Sequence, residues 1–340
     1  MKLRIIFSEL LIVVLVISIS CRRNHFIIDT SGIVTDIKIK RLEVDLFTLN
    51  PSEIKDKIPD LQAKYEGFLR YFGYVINIGE PTDLTWGDGL VSFCTDKLNN
   101  EVYAATMKVF PGLINIEDEL SVAFRHYIYY FPGEKIPGVF TCITGFNNSI
   151  IIADSILGIG LDKYLGTGCK YYPGLQIYKY QIAKMNPDNI VRDCMYSWAT
   201  SEWNYKDLGY ATENVLSEMI HEGKLLYFVK SMLPESDDNL TFGFTVDQMK
   251  FCRNNENQMW QYLIENNLLF SSDQLTKRKL TGDAPFTSYF SNESPGRAAI
   301  WIGFRIIESY MLNNRGVSLE DLMKNIDIQE ILDKAKYNPK

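Results

Sequence analysis

His221 and Glu222 are the residues whose types and spacing come nearest to a catalytic motif. They stand in the stretch Ser217-Glu218-Met219-Ile220-His221-Glu222-Gly223-Lys224-Leu225-Leu226-Tyr227-Phe228, whose pattern predicts an amphipathic helix. In zinc peptidases of the H-E-x-x-H type, two His four residues apart hold the metal from one helix face, and the Glu between them activates water. Here the second His position is Leu225. Glu218 with His221 forms E-x-x-H, the spacing of carboxylate-bridged di-iron bundles, but those need a second such pair and the chain has three His. His25 lies near the N-terminus, and His126 has Val122 and Ala123 at its i−4 and i−3 positions. Glu256, 35 positions after His221 (256 − 221), is the candidate for a distant third ligand. One His and one carboxylate make a poor zinc site. His221 therefore reads as a partly exposed residue, and His221, Glu222 and Glu256 as relics, with no metal or cofactor expected.

Other chemical signals are weaker. Gly158-Ile159-Gly160 lacks the third Gly of a dinucleotide fingerprint and reads as a turn, and there is no G-x-S-x-G elbow. Ser294-Pro295-Gly296-Arg297 reads as a helix start, with Ser294 as cap, Pro295 in the first turn and Arg297 in a structural ion pair. Aromatic residues make up 13% of the chain and read as core and rim.

The 340 residues carry a net charge of −7, and Lys277-Arg278-Lys279 is the one basic tract, so nucleic acid is not an expected partner. Met1-Lys2-Leu3-Arg4, the apolar run Ile5 to Ile19, and Ser20 before Cys21 have the layout of a secretory signal ending in a lipobox. The expectation is a signal peptide over residues 1–20, a lipid-modified (palmitate-type) Cys21, a tether over 21–31 and one domain over 32–340. The lipid would anchor the chain to a membrane without spanning it. Cys94, Cys142, Cys169, Cys194 and Cys252 are scattered, form no CxxC, and read as buried free thiols.

The elements that must position these residues follow from periodicity. A strand is expected over 37–47, a helix over 51–72, a loop over 80–89, and helices over 90–110 and 116–131. Val139 to Phe146 and Ser149 to Asp154, joined by Asn147-Asn148, predict a β-hairpin. Helices follow over 188–202, 211–232, 245–266, 294–311 and 318–325, with Thr212 as a cap. The expected class is α+β, with a small antiparallel sheet in the first half and a predominantly helical second half.

Several segments together resemble the GldB-type gliding-motility lipoprotein family of Bacteroidetes. They are the signal with Cys21, Tyr129-Tyr130-Phe131-Pro132, Thr144-Gly145-Phe146-Asn147 and Leu157 to Gly166. Gly223 to Phe228, Asn255-Glu256-Asn257-Gln258-Met259-Trp260, Ser294 to Arg297 with Trp301-Ile302-Gly303, and Lys336-Tyr337-Asn338-Pro339 complete the set. The resemblance implies a lipoprotein of the cell envelope, facing the periplasm, linked to gliding and its associated secretion machinery. It also implies a degenerate zincin-like core, no activity, and envelope proteins as partners. The rival expectations are a zinc-dependent metallopeptidase with an atypical site built on His221, Glu222 and Glu256, and a ligand-binding lipoprotein with an aromatic-lined pocket.

Overall fold

A computed structural model describes residues 24–340, so Cys21 and the expected signal lie outside the described residues. The segment expected to be a tether is already tied down where it is described. Asn24 donates through Nδ2 to Pro234 O at 2.9 Å. Phe26 is buried, with its ring 4.8 Å from that of Tyr227.

The chain begins with β1 (Ile39–Arg41), α1 (Leu42–Phe47), α2 (Ile54–Tyr65), α3 (Phe68–Val75), α4 (Trp86–Thr95), α5 (Lys97–Val109) and α6 (Ile114–Tyr130). Strands β2 (Gly138–Cys142), β3 (Ile150–Ala153) and β4 (Ile156–Gly160) follow. The rest is helical: α7 (Lys179–Ile182), α8 (Ile190–Glu202), α9 (Val215–Met232), α10 (Asp238–Phe242), α11 (Val246–Asn254), α12 (Glu256–Glu265), α13 (Gln274–Thr281), α14 (Ala298–Asn313), α15 (Leu319–Lys324) and α16 (Ile328–Ala335). The α+β class holds, although the first half carries helices as well as strands. Among the described residues no helix is long and apolar enough to cross a membrane.

The sheet is mixed rather than antiparallel. Its order is β1-β2-β4-β3, with β1–β2 and β2–β4 parallel and β3–β4 antiparallel. The hairpin expected between Val139–Phe146 and Ser149–Asp154 does not form, because β4 lies between those strands. The chain instead leaves the sheet after Cys142, turned by left-handed backbone at Gly145 (φ 66°) and Phe146 (φ 63°). The tight hairpin turn is at Asp154-Ser155, with φ 55° at Ser155. Gly158-Ile159-Gly160, expected as a turn, lies in the interior strand β4. A Cβ on Gly158 would lie 2.5 Å from the Phe68 ring, and one on Gly160 2.1 Å from Asn148 O. Both glycines are therefore required by close packing.

Other boundaries shift for local reasons. The strand expected over 37–47 shrinks to three residues, because Leu42 and Leu46 bury together at helical i, i+4 spacing. The helix expected over 51–72 breaks at Glu66, where φ is 49°. The stretch 90–110 divides at Asp96, which caps α5 by accepting from Asn99 N at 2.9 Å. Helix α9 is capped by Asn214 rather than Thr212: Asn214 Oδ1 accepts from Ser217 N and Ser217 Oγ from Asn214 N, both at 2.9 Å. Helix α14 starts at Ala298, because Ser294 Oγ is taken by Thr287 N and Arg297 is left-handed (φ 63°).

Two cores lie on the two faces of the sheet, as the alternation of strand side chains requires. Phe140, Ile151 and Ile156 join Leu42, Phe68 and Trp86 on one face. Val139, Leu157 and Ile159 join Phe124, Trp198 and the buried residues of α9 and α14 on the other. Helix α9 sits inside this larger core, and all its residues are buried except Glu218 and Glu222. The expected amphipathic pattern is overturned. Helices α9 and α14 cross with backbones in contact: a Cβ on Gly223 would lie 2.5 Å from Gly303 C, and one on Gly303 1.9 Å from Met219 O.

Candidate functional site

His221 and Glu222 leave α9 in different directions, as neighbours about 100° apart on a helix must. His221 is 3% exposed, which corrects the expectation of partial exposure. Its Nδ1 lies 3.1 Å from the Tyr210 hydroxyl, and the rings of Tyr205 and Tyr210 meet it edge-on. Burial, with the charge of nearby Lys224 second, lowers its pKa to about 3, so the imidazole is neutral. Lys224, one turn on, is itself buried and donates to Met323 O at 3.2 Å and Asn325 O at 2.8 Å. Burial draws its pKa down to about 7. Leu225, at the missing second His position, is 1% exposed in the core, where its burial contributes about 2 kcal/mol.

Glu256 is committed elsewhere. It opens α12 and accepts from Arg305 Nε at 3.0 Å and from the Tyr337 hydroxyl at 2.8 Å. Asn257 donates to Pro339 O at 2.8 Å. These contacts clasp the C-terminal segment to α12 and α14. The structure thus does not assemble His221, Glu222 and Glu256 into one site. Among the described residues no group of three or more His, Cys, Asp or Glu is placed to hold a metal ion. His126 bonds to Val122 O on its own helix, and His25 packs on Phe26.

A polar constellation does form, on the side of α9 that remains open. Glu222 accepts from the Tyr196 hydroxyl at 2.6 Å and from Arg297 Nη2 at 2.7 Å, and Arg297 Nη2 also reaches the Tyr196 hydroxyl at 3.1 Å. Arg297 Nε donates to Thr281 O at 3.3 Å. One turn earlier on α8, the Arg192 guanidinium lies 4.6 Å above the Tyr196 ring and bonds to Asp193 at 2.9 Å. Asp193 accepts in turn from the Tyr164 hydroxyl at 2.9 Å. Glu218, the other open residue of α9, pairs with buried Lys277 at 2.9 Å and accepts from Thr281 Oγ1 at 2.7 Å.

Arg192, Asp193 and Tyr196 have the i, i+1, i+4 spacing of H-E-x-x-H, and Glu222 adds a carboxylate from the next long helix. A zinc site made of two imidazoles and one carboxylate uses this layout. Only the spacing is shared: Arg, Asp and Tyr supply no imidazole donor. A search for His cannot find this cluster. Its sequence signal is an Arg-Asp pair followed by Tyr on a helix after the strands.

Next to this cluster the loop Thr144-Gly145-Phe146-Asn147 is wrapped around Asp162. The fully buried carboxylate accepts from Thr144 N at 3.0 Å, Phe146 N at 2.6 Å and Thr144 Oγ1 at 3.1 Å. Burial raises the Asp162 pKa against these bonds. Tyr172 locks the other side, donating to Asp162 O at 3.0 Å and accepting from Leu165 N at 2.7 Å. The described cysteines are free, and all but half-buried Cys169 are buried.

Segments far apart in sequence are therefore spatial partners. Thr144–Asn147 meets Leu157–Gly166 at Asp162, Gly223 meets Gly303, and Glu256 meets Tyr337. No curated protein and no solved structure matches the chain. A family model described as gliding motility protein GldB matches residues 23–339, which takes in every one of these pairings. The chain belongs to this GldB family of gliding-motility lipoproteins and is, as such, an envelope-associated protein.

Proposed function

We propose that this protein is a non-catalytic, lipid-anchored component of the envelope that faces the periplasm and acts by contact with other envelope proteins. The observation that carries the reading is the set of partners around Glu222. Arg192, Asp193 and Tyr196 repeat the spacing of the zinc-peptidase motif beside Glu222, but the contacts they make are those of a salt-bridged hydrogen-bond network. The guanidinium of Arg297 supplies the positive charge that a carboxylate in such a place would otherwise take from a metal. Arg and Tyr side chains are poor zinc ligands beside neutral His. The anchor rests on Ser20-Cys21 at the end of the apolar run.

Metal analysis of the purified full-length protein, with a peptidase assay on the same sample, tests this reading. The expected result is substoichiometric zinc and no hydrolysis. One zinc per chain, lost in Glu222→Gln or His221→Ala, would establish the metallopeptidase instead.

A further inference from the structure

The two edges of the sheet differ. At β1 the outer edge is closed by α6: Ile39 N donates to Glu117 Oε1 and Ile37 N to Ser121 Oγ, both at 2.9 Å. At β3, against one face of which α8 packs, no side chain bonds to the backbone of Ile150 or Ile152 among the described residues. Ser149 O accepts from Gly160 N, and the register pairs Ile150 with Ile159 and Ile152 with Leu157. Bonded and non-bonded pairs alternate along an antiparallel ladder. Ile151 and Ala153 therefore bond to β4, and the N–H and C=O groups of Ile150 and Ile152 point off the sheet. A bare edge of this kind accepts another strand.

The edge ends in a cavity of about 470 Å³, lined by Ile152 to Ser155, by Trp198, Ser201 and Glu202 of α8, and by Glu134 and Lys135. Glu134, Asp154 and Glu202 bring three carboxylates to it against Lys135 in the lining, with the Lys324 charge also felt by Glu134, and none of the three has an ion pair among the described residues. Burial, and second the neighbouring charge of Glu134, raises the Glu202 pKa. The buried Trp198 indole N–H, in the same wall, makes no complete hydrogen bond, although the Tyr127 hydroxyl is beside it. At the other end of β3, Ser149 lines a second cavity of about 300 Å³ with Lys163, Tyr164 and Asp193. From Ser149 to Ala153 the edge is roughly 14 Å long, room for about four extended residues.

We propose that the β3 edge is a docking site for an extended peptide segment of a partner protein, added as a further strand, with a Lys or Arg side chain in the cavity formed by Glu134, Asp154 and Glu202. The inference names the contact through which the non-catalytic reading would operate and rests on that reading only for its outcome, binding without cleavage.

The test uses full-length protein in detergent micelles and a capped peptide of alternating Thr and Val ending in Lys, with a Glu-ended peptide as control. The Lys peptide is expected to bind about tenfold tighter than the Glu peptide and to slow hydrogen exchange at Ile150 and Ile152. Glu202→Lys should reverse the preference. Ile152→Pro removes an outward N–H, which an edge strand tolerates, along with a half-buried side chain; in protein that still unfolds cooperatively it should weaken binding about tenfold relative to Ile152→Val. No binding of the Lys peptide to folded protein, or binding that ignores both variants, overturns the proposal. So does self-association that protects the same two amides without peptide, which would assign the edge to a second copy. Mass analysis of the peptide separates the two readings: cleavage would sink the non-catalytic function and leave the docking site standing.

Discussion

The Tyr196 hydroxyl donates to Glu222 at 2.6 Å and so joins α8 to α9 on the one side where α9 is not buried. Arg297, from the residue before α14, closes the same contact against both partners. Two consecutive helices and the start of a third, distant in sequence, are thus registered by one carboxylate. The cluster holds the second-half core in place, whatever its ancestry.

A double-mutant cycle on Glu222 and Arg297 measures that coupling. Each side chain is a little over one-fifth exposed, so part of the pair energy is screened. Glu222→Gln and Arg297→Met should each destabilise the fold by about 2 kcal/mol, and the double variant by clearly less than their sum. Urea unfolding reads all three. Additive losses would show that the contact carries no coupling.

Stability should fall with acid because of His221. Its pKa is about 3 in the folded chain and near the ordinary 6.5 when unfolded. Between those values the unfolded chain binds more protons, so the contribution of the neutral imidazole is complete above pH 6.5 and is lost as pH falls toward 3. The full loss is on the order of 4 kcal/mol. His221→Phe should flatten the stability profile in that window.

Lys224 acts in a higher window. Its pKa is lowered to about 7, so the cost of burying the ammonium is present below pH 7 and is relieved as pH rises toward 10.5. Carbonyls of Met323 and Asn325 favour the charged form and blunt the effect. Lys224→Met should remove the rise in stability between pH 7 and 10, measured by urea midpoints; a rise of unchanged slope would assign it to another group.

Gly303→Ala tests the helix crossing. Its Cβ would sit 1.9 Å from a backbone oxygen of α9, so the helices must separate. A loss of at least about 3 kcal/mol is expected, above the usual cost of overpacking, because backbone cannot rotate away. Gly316→Ala, with open space around the position, is the control. Equal melting temperatures for both variants would refute the close crossing.

Cys21→Ala tests the anchor. The variant should leave the membrane fraction and lose acyl labelling, while the wild type retains both. Unchanged membrane retention would point to an uncleaved apolar helix.

The α+β class and the helices α6, α8 and α15 were legible because apolar periodicity or a good cap survives in them, and α9 because its run is long and free of Pro. Strand order was not. Val139–Phe140 and Ile150–Ile152 look like adjacent strands, and only the pairing of β4 with both shows that it lies between them. Local patterns carry no such information. The chemistry was misplaced for a related reason. His221-Glu222 matched a motif by residue type, whereas Arg192, Asp193 and Tyr196 share only its spacing, and their link to Glu222 and Arg297 spans 105 positions (297 − 192). Helix α9 looked amphipathic because Glu218, Glu222 and Lys224 are charged. Two of these face partners at the rim, and the third is buried on carbonyls.

The bond from Asn24 to Pro234 ties the start of the described chain to the C-terminal end of α9. A lipid on Cys21 would be separated from that fixed point by three residues, a leash of roughly 10 Å at full stretch. A body of this size is about 50 Å across, so it would ride directly on the bilayer with little freedom to swing, its α9 C-terminal end turned toward the lipid. Any partner would have to approach within that standing height above the membrane, and lengthening the leash, rather than altering any surface, would be the way to change which partners are in reach.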